Sequence, residues 1–208
     1  GIIIMLKTIQ YLTLGFITSL ALSSCAIKPL SYSDTGLKLN WTKASQSVEL
    51  GRKNFPVIAS PAISGDTIIY ANTIDSVTAY KKKSAQLVWK NTYSGGASGL
   101  AADQTQAYYY AGTGNLVAVN ISSGNTNWEL PISSKITAAI TTDSNNIYAL
   151  TVLDQLYSIN KTTGKANWVY THRADKKTIK MYGGTKPLIN GSDIIIGTSD
   201  GYLLAVNK

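Results

Sequence analysis

The feature that most constrains this chain is a period of about forty residues marked by tryptophan. Trp89 to Trp128 is 39 residues and Trp128 to Trp168 is 40, while Trp41 precedes Trp89 by 48, so that unit holds a longer loop. These four are all the tryptophans in the sequence, and one register accounts for them. A small residue stands ten positions ahead of three of them, at Ala79, Ala118 and Ser158. The opening Leu116-Val117-Ala118-Val119-Asn120 returns as Leu203-Leu204-Ala205-Val206-Asn207. A fixed period of this length means one supersecondary unit stacked on copies of itself, because a single unit cannot bury its own apolar face.

Three strand signals are legible in each unit. The first is Thr67-Ile68-Ile69-Tyr70-Ala71, answered by Ala107 to Ala111, Asn146 to Leu150 and Asp193 to Gly197. Asp75, Gly114, Asp154 and Gly201 follow in register, residue types that tolerate the positive φ of a tight hairpin. The second strand is Val77-Thr78-Ala79-Tyr80 and its copies. The next turn places Gly124 and Gly164 where the first unit has Ala85, and the third strand ends on the tryptophan. Period-two alternation in Leu116 to Asn120 fits strands packed on at least one face. The spacing predicts four-stranded propeller blades, in which the recurrent small residue lets the next sheet approach and the indole supplies a large apolar contact with its N–H bonded.

Nineteen Lys and Arg against eleven Asp and Glu give a net charge of +8, which falls to +7 if Lys7 is removed with a leader. The longest basic run, Lys81-Lys82-Lys83, falls on a predicted turn, so the charge reads as a solvated surface and implies no nucleic acid. The single cysteine, Cys25, excludes an internal disulfide framework and a multi-cysteine metal site.

Residues 5 to 25 have the layout of a signal peptide: Met5 with Lys7, an uncharged stretch from Thr8 to Leu22, then Leu22-Ser23-Ser24-Cys25. Gly1 to Ile4 precede the plausible initiator Met5 and are set aside from fold reasoning. Residues 26–38 are short, polar and turn-rich and read as a tether, leaving 39–208 as the repeat domain. The tetrad resembles a bacterial lipobox, and the resemblance implies acylation of Cys25. Stable anchoring then requires more than one chain, at about 0.8 kcal/mol per buried CH₂. Ala26 stands where an Asp would favour the inner membrane in the enterobacterial sorting rule, so the expected location is the outer membrane, facing the periplasm.

Gly124-Asn125-Thr126-Asn127-Trp128 and Thr163-Gly164-Lys165-Ala166-Asn167-Trp168, with Ala-Val-Asn or Ser-Ile-Asn ahead of them, resemble the repeat of the pyrroloquinoline-quinone-type β-propellers. The fold implied is all-β, with antiparallel four-stranded blades, about four of an expected seven or eight. Lipobox, tether and propeller together resemble the assembly-factor lipoproteins of the outer-membrane β-barrel assembly (BAM) machinery. The segment Ile179 to Pro187 is similar to the stretch by which that family docks on the periplasmic domains of BamA. Carried over by position, Ile179 and Met181 match its apolar contacts, and Tyr182 stands where the family has Arg. Tyr cannot make a bidentate ion pair, and Arg173, Lys176, Lys177, Lys180 and Lys186 are the nearby cations.

The resemblance therefore implies a non-enzymatic scaffold that binds a BamA-like partner and assists insertion of outer-membrane proteins, with no cofactor. The alternatives are a periplasmic propeller lipoprotein with another ligand or partner, and a quinone-dependent dehydrogenase relative. The dehydrogenase pattern would require paired cysteines, calcium ligands and a catalytic Asp, none of which can be assigned. His172, the sole histidine, has no acid or nucleophile partner identifiable in the sequence and reads as solvent-facing. No catalytic or metal residues are expected. The repeats stop at Lys208, where a further strand and its Trp are expected ten residues after Ala205. The chain thus reads as a C-terminally truncated propeller that would expose the face and edge of its last blade and associate.

Overall fold

The computed structural model describes residues 40–42, 60–72, 74–173 and 184–208. Cys25, Ile179, Met181 and Tyr182 lie outside these residues. The chain divides into Gly1–Asn40 and Trp41–Lys208, and all the strands described belong to the second unit.

The strands described in that unit form four sheets, and within each sheet every strand pairs antiparallel with its neighbour in sequence. The first blade contains β1 (Ala62–Ser64), β2 (Thr67–Ala71), β3 (Ser76–Lys81) and β4 (Leu87–Thr92). The second contains β5 (Ala97–Ala102), β6 (Gln106–Ala111), β7 (Asn115–Asn120) and β8 (Thr126–Pro131). The third contains β9 (Thr141–Thr142), β10 (Asn146–Leu150), β11 (Gln155–Asn160) and β12 (Ala166–Thr171). The last contains β13 (Leu188–Asn190), β14 (Asp193–Gly197) and β15 (Leu203–Asn207). This is the propeller architecture that the repeat predicts.

Each blade has one strand more than the sequence signals predict: β1, β5 and β9 precede three legible strands each, and β13 precedes two. Their composition hides them. β5 is Ala-Ser-Gly-Leu-Ala-Ala, with neither β-branched residues nor alternation, and it is bulged between Ser98 and Ala101. It packs against β1 and β2 on one side and β9 on the other, so space rather than propensity selects its residues. A Cβ at Gly99 would stand 2.7 Å from Ile136 Cγ2.

The outer hairpins follow from local polar chemistry. In the β7–β8 turn, Asn120 Oδ1 accepts from the backbone N–H of Ser122 and Ser123, and Gly124 N–H donates to Asn120 O at 2.8 Å with φ +74°. Asn160, Thr162, Thr163 and Gly164 repeat this at the β11–β12 turn. Ala85, a non-glycine residue, takes φ +54° in the equivalent β3–β4 turn.

Three apolar clusters weld the blades in order. Ile69 and Val77 meet Tyr109 and Val117 in the first cluster; Tyr108 and Leu116 meet Ile147 and Ile159 in the second; Tyr148 and Leu156 meet Ile194 and Ile196 in the third. Alternate residues of β6 and β7 thus face opposite neighbours, so both faces are buried. Each such side chain contributes about 1.5–3 kcal/mol on removal from water.

Candidate functional site

The recurrent spacing of the tryptophans resolves into one joint. Trp128, on β8, projects onto the β11–β12 turn of the following blade, where its Nε1–H donates to Lys161 O at 2.9 Å. Trp89, on β4, does the same to Ile121 O at 2.6 Å, and Trp41 to Lys82 O at 3.0 Å. The turn glycine lies against the ring. A Cβ on Gly124 would stand 2.7 Å from the Trp89 indole, and one on Gly164 would stand 2.6 Å from that of Trp128. Asn91 Nδ2 adds a bond to Gly124 O at 2.8 Å.

The small residue ten positions ahead stands, as its sequence position suggests, on the face turned to the next blade: Ala79 lies in the first cluster and Ala118 in the second, both fully buried. Ala79, Ala118 and Ser158 are the cross-strand partners of Trp89, Trp128 and Trp168, and each sits at a β-bulge. Trp128 tilts against Tyr108 with centroids 6.1 Å apart, and Trp168 against Tyr148 at 6.3 Å.

Two joints also carry a charge clamp that the sequence reading missed. Asp103 Oδ1 accepts from the backbone N–H of Thr105 and Gln106, while Oδ2 accepts from the Tyr108 hydroxyl at 2.8 Å and pairs with Lys161 Nζ at 3.1 Å. Asp143 repeats this with Asn145, Asn146, Tyr148 and, at 3.5 Å, Lys208. Burial alone would raise the Asp103 carboxyl. The two backbone N–H groups, Tyr108 and Lys161 outweigh it and hold the pKa at about 2. Asp143 is lowered by the corresponding donors against the same opposing burial. Burial first, and then the carboxylate acceptor, raise the Tyr108 phenol, so it remains a donor. An Asp five residues before a Tyr, in two successive units, was the available signal.

A second set of contacts lies where β12 leads toward β13. Buried Asp154, at φ +57°, accepts from Ser199 N–H at 2.9 Å and from its hydroxyl at 2.5 Å. His172 Nε2 meets Asp200 Oδ2 at 2.8 Å, and its ring lies 5.7 Å from Tyr202. This corrects the expectation of a solvent-facing, unpartnered histidine: the acid comes from the β14–β15 turn, 28 residues later, where the sequence gives no cue. The Ser199 hydroxyl is committed to Asp154 rather than to His172, so the cluster ties two turns together and does not arm a nucleophile.

The far end of the connection is fastened too. Thr185 Oγ1 donates to Gly197 O and accepts from Gly197 N–H, and Thr141 donates to Pro187 O. A Cβ on Gly184 would stand 3.2 Å from Leu150 O. Beside this end is a cavity of about 370 Å³ along the first strands, touched by Ile63, Leu100, Ile140, Thr142 and Lys186. Among the described residues no three His, Cys, Asp or Glu side chains are grouped to hold a metal ion.

Of the sequence-predicted residues, Trp41, Trp89, Trp128, Gly124 and Gly164 meet in the joints, and Trp168 packs within the third apolar cluster. The proposed partner-binding residues fall within residues 172–187, the connection between β12 and β13, of which the structure describes both ends.

The family described as outer membrane protein assembly factor BamB matches residues 74–208. An outer membrane protein assembly factor BamB from Legionella pneumophila (strain Paris) is 29% identical over 157 residues, covering 70% of this chain and 39% of that protein. The crystal structure of BamB from Moraxella catarrhalis matches with a TM-score of 0.62 at 11% identity, covering 73% of this chain and 50% of that one. A quinohemoprotein alcohol dehydrogenase from Pseudomonas putida HK5 matches with a TM-score of 0.54 at 14% identity, covering 73% and 32%. The chain spans less than half the length of the curated BamB relatives it matches, and at these identities the two structural likenesses establish the fold alone.

Proposed function

This chain belongs to the family of outer membrane protein assembly factor BamB, and on that footing we propose that it is a non-enzymatic scaffold lipoprotein of the outer-membrane β-barrel assembly complex. It binds the periplasmic domains of a BamA-like partner and so assists folding and insertion of outer-membrane proteins. Cys25 carries the acyl anchor as the new N-terminus after removal of the residues ahead of it, residues 26–38 act as the tether, and the propeller faces the periplasm. Ile179 and Met181 supply apolar contacts to the partner, with Tyr182 beside them.

The family match carries this reading. The layout of the connections supports it: residues 172–187 separate β12 from β13, sixteen positions against four (93–96) between β4 and β5 and nine (132–140) between β8 and β9. The connection is long and its two described ends are fastened, by His172–Asp200 and Thr185–Gly197, and binding residues concentrate on such connections. Among the described residues, those of the joints are committed to one another.

The test is co-purification of the chain with a BamA-like protein. An Ile179→Asp plus Met181→Asp variant is expected to lose the partner. Retention at the level of the unaltered chain would rule out the contact.

A further inference from the structure

The turn between β13 and β14 lacks the clamp that its two predecessors carry. Asp103 and Asp143 stand three residues before β6 and β10, each with Oδ1 accepting two backbone N–H groups of its turn and Oδ2 accepting a tyrosine hydroxyl. The residue three before β14 is Asn190, and Ile195 stands where Tyr108 and Tyr148 supply their hydroxyls. Asn190 is exposed, and among the described residues neither its side-chain amide nor the Gly191 N–H has a hydrogen-bond partner. Gly191 and Ser192 form the loop between the paired residues Asn190 and Asp193. Gly191 has φ +58°, and nothing lies within 4 Å of where its Cβ would stand, so the loop has room to turn.

That freedom matters because a backbone nitrogen can attack the side-chain carbonyl of a preceding Asn or Asp. The attack is easiest from glycine, which has no Cβ to hinder the approach or restrict the backbone. The sequence holds one Asn-Gly pair, Asn190–Gly191, and one Asp-Gly pair, Asp200–Gly201. The second is locked. The Asp200 side chain is fully buried, its two oxygens are held by Thr198 and His172, and Gly201 N–H donates to Thr198 O at 3.1 Å. Asn120 and Asn160, at the outer hairpins, are followed by Ile121 and Lys161, whose N–H groups donate to Thr105 O and Asn145 O, each at 3.0 Å. Asn190 alone among these has both the amide and the nitrogen after it unengaged.

We propose that Asn190 is a site of spontaneous covalent modification, deamidation through a succinimide. Gly191 N gives up its proton to base and attacks Asn190 Cγ. The N–Cγ bond forms, the Cγ–Nδ2 bond breaks, and the nitrogen leaves as ammonia. Water then opens the ring at one of its two carbonyls. Attack at Cγ breaks the new bond and leaves aspartate; attack at the backbone carbonyl breaks the original peptide bond and leaves isoaspartate, with the chain running through the side chain. One water is consumed and one ammonia released, with no oxidation or reduction. Either product sets a carboxylate directly across the hairpin from Asp193, and like charges so opposed weaken strand pairing. Ile195 offers no hydroxyl to clamp the new charge. The modification is independent of BamA binding.

The test holds the full 208-residue chain in warm, mildly alkaline buffer, one sample native by circular dichroism and one in urea. Peptide mass spectrometry follows the mass gain at each Asn, and an isoaspartyl methyltransferase labels isoaspartate. In the native sample Asn190 is expected to react about ten times faster than any other Asn of the described turns, given the glycine after it. Asp200 is expected to be labelled in urea only. Gly191→Ala should slow the reaction about tenfold, and Asn190→Gln, which leaves the turn glycine in place, should abolish the label at this turn. The proposal would be overturned by a native Asn190 that stays intact while the urea sample reacts. Native Asp200 reacting as fast as Asn190, a Gly191→Ala rate equal to that of the parent chain, or a label persisting in Asn190→Gln would overturn it equally.

Discussion

The backbone carbonyl of Lys161 accepts the indole N–H of Trp128 at 2.9 Å, while the ammonium of the same lysine reaches back 3.1 Å to Asp103 on the blade that carries the tryptophan. One turn residue thus grips the preceding blade through both main chain and side chain. The two contacts differ in worth. Trp128→Phe keeps most of the apolar area but removes the donor, and should cost about 1–2 kcal/mol. Lys161→Ala retains the carbonyl and should cost about 0.5–1 kcal/mol, since the ion pair is partly solvated. Urea unfolding of the two variants checks the order; a larger loss for Lys161→Ala would contradict it.

The turn beneath each indole makes opposite demands at two positions. Gly124→Ala would place a methyl 2.7 Å from the Trp89 ring at φ +74°, combining backbone strain with overpacking, and should destabilise by about 2–4 kcal/mol. Ala85 already sits at φ +54° in the equivalent turn, so Ala85→Gly relieves strain and should stabilise by about 0.5–1 kcal/mol. The same denaturation experiment must return opposite signs.

These turns show how much of the fold was legible beforehand. Gly124, Gly164 and the tryptophans announce themselves because one joint geometry admits few side chains, and repetition multiplies the signal. β5 and its counterparts stayed hidden because their small residues answer to neighbouring blades and carry no periodic pattern of their own. The Asp103–Lys161 clamp joins residues 58 positions apart, and His172–Asp200 joins residues 28 apart. Such pairings arise from blade stacking, which a sequence shows only as a period.

Acid should loosen the second and third joints first. Asp103 has a folded pKa of about 2, well below the usual carboxylate range, and Asp143 is lowered too. A depressed carboxylate stabilises the fold above its unfolded pKa, and that contribution is lost as pH falls through the folded value. Stability should therefore decline between about pH 4 and 2. Asp103→Asn should flatten this decline while leaving the neutral-pH slope unchanged. An acid limb as steep as that of the parent chain, followed by circular dichroism, would refute the assignment.

The fastening of the β12–β13 connection predicts a local effect. His172→Ala removes the 2.8 Å contact to Asp200 at one end and leaves Thr185–Gly197 intact at the other. Amide exchange across residues 173–187 should accelerate, with the blade strands protected as before. Uniform acceleration through β10 and β11 would mean that His172 supports the blade itself.

The central claim is that the joints build the scaffold and that partner binding resides in the connection between β12 and β13. Titration calorimetry of the periplasmic domains of a BamA-like protein tests it most directly, comparing the parent chain with Ile179→Asp plus Met181→Asp and with Asn91→Ala, which loosens a joint through the bond to Gly124 O. The account predicts loss of binding at least tenfold for the double variant and an unchanged affinity for Asn91→Ala. Undiminished binding by the double variant would contradict it.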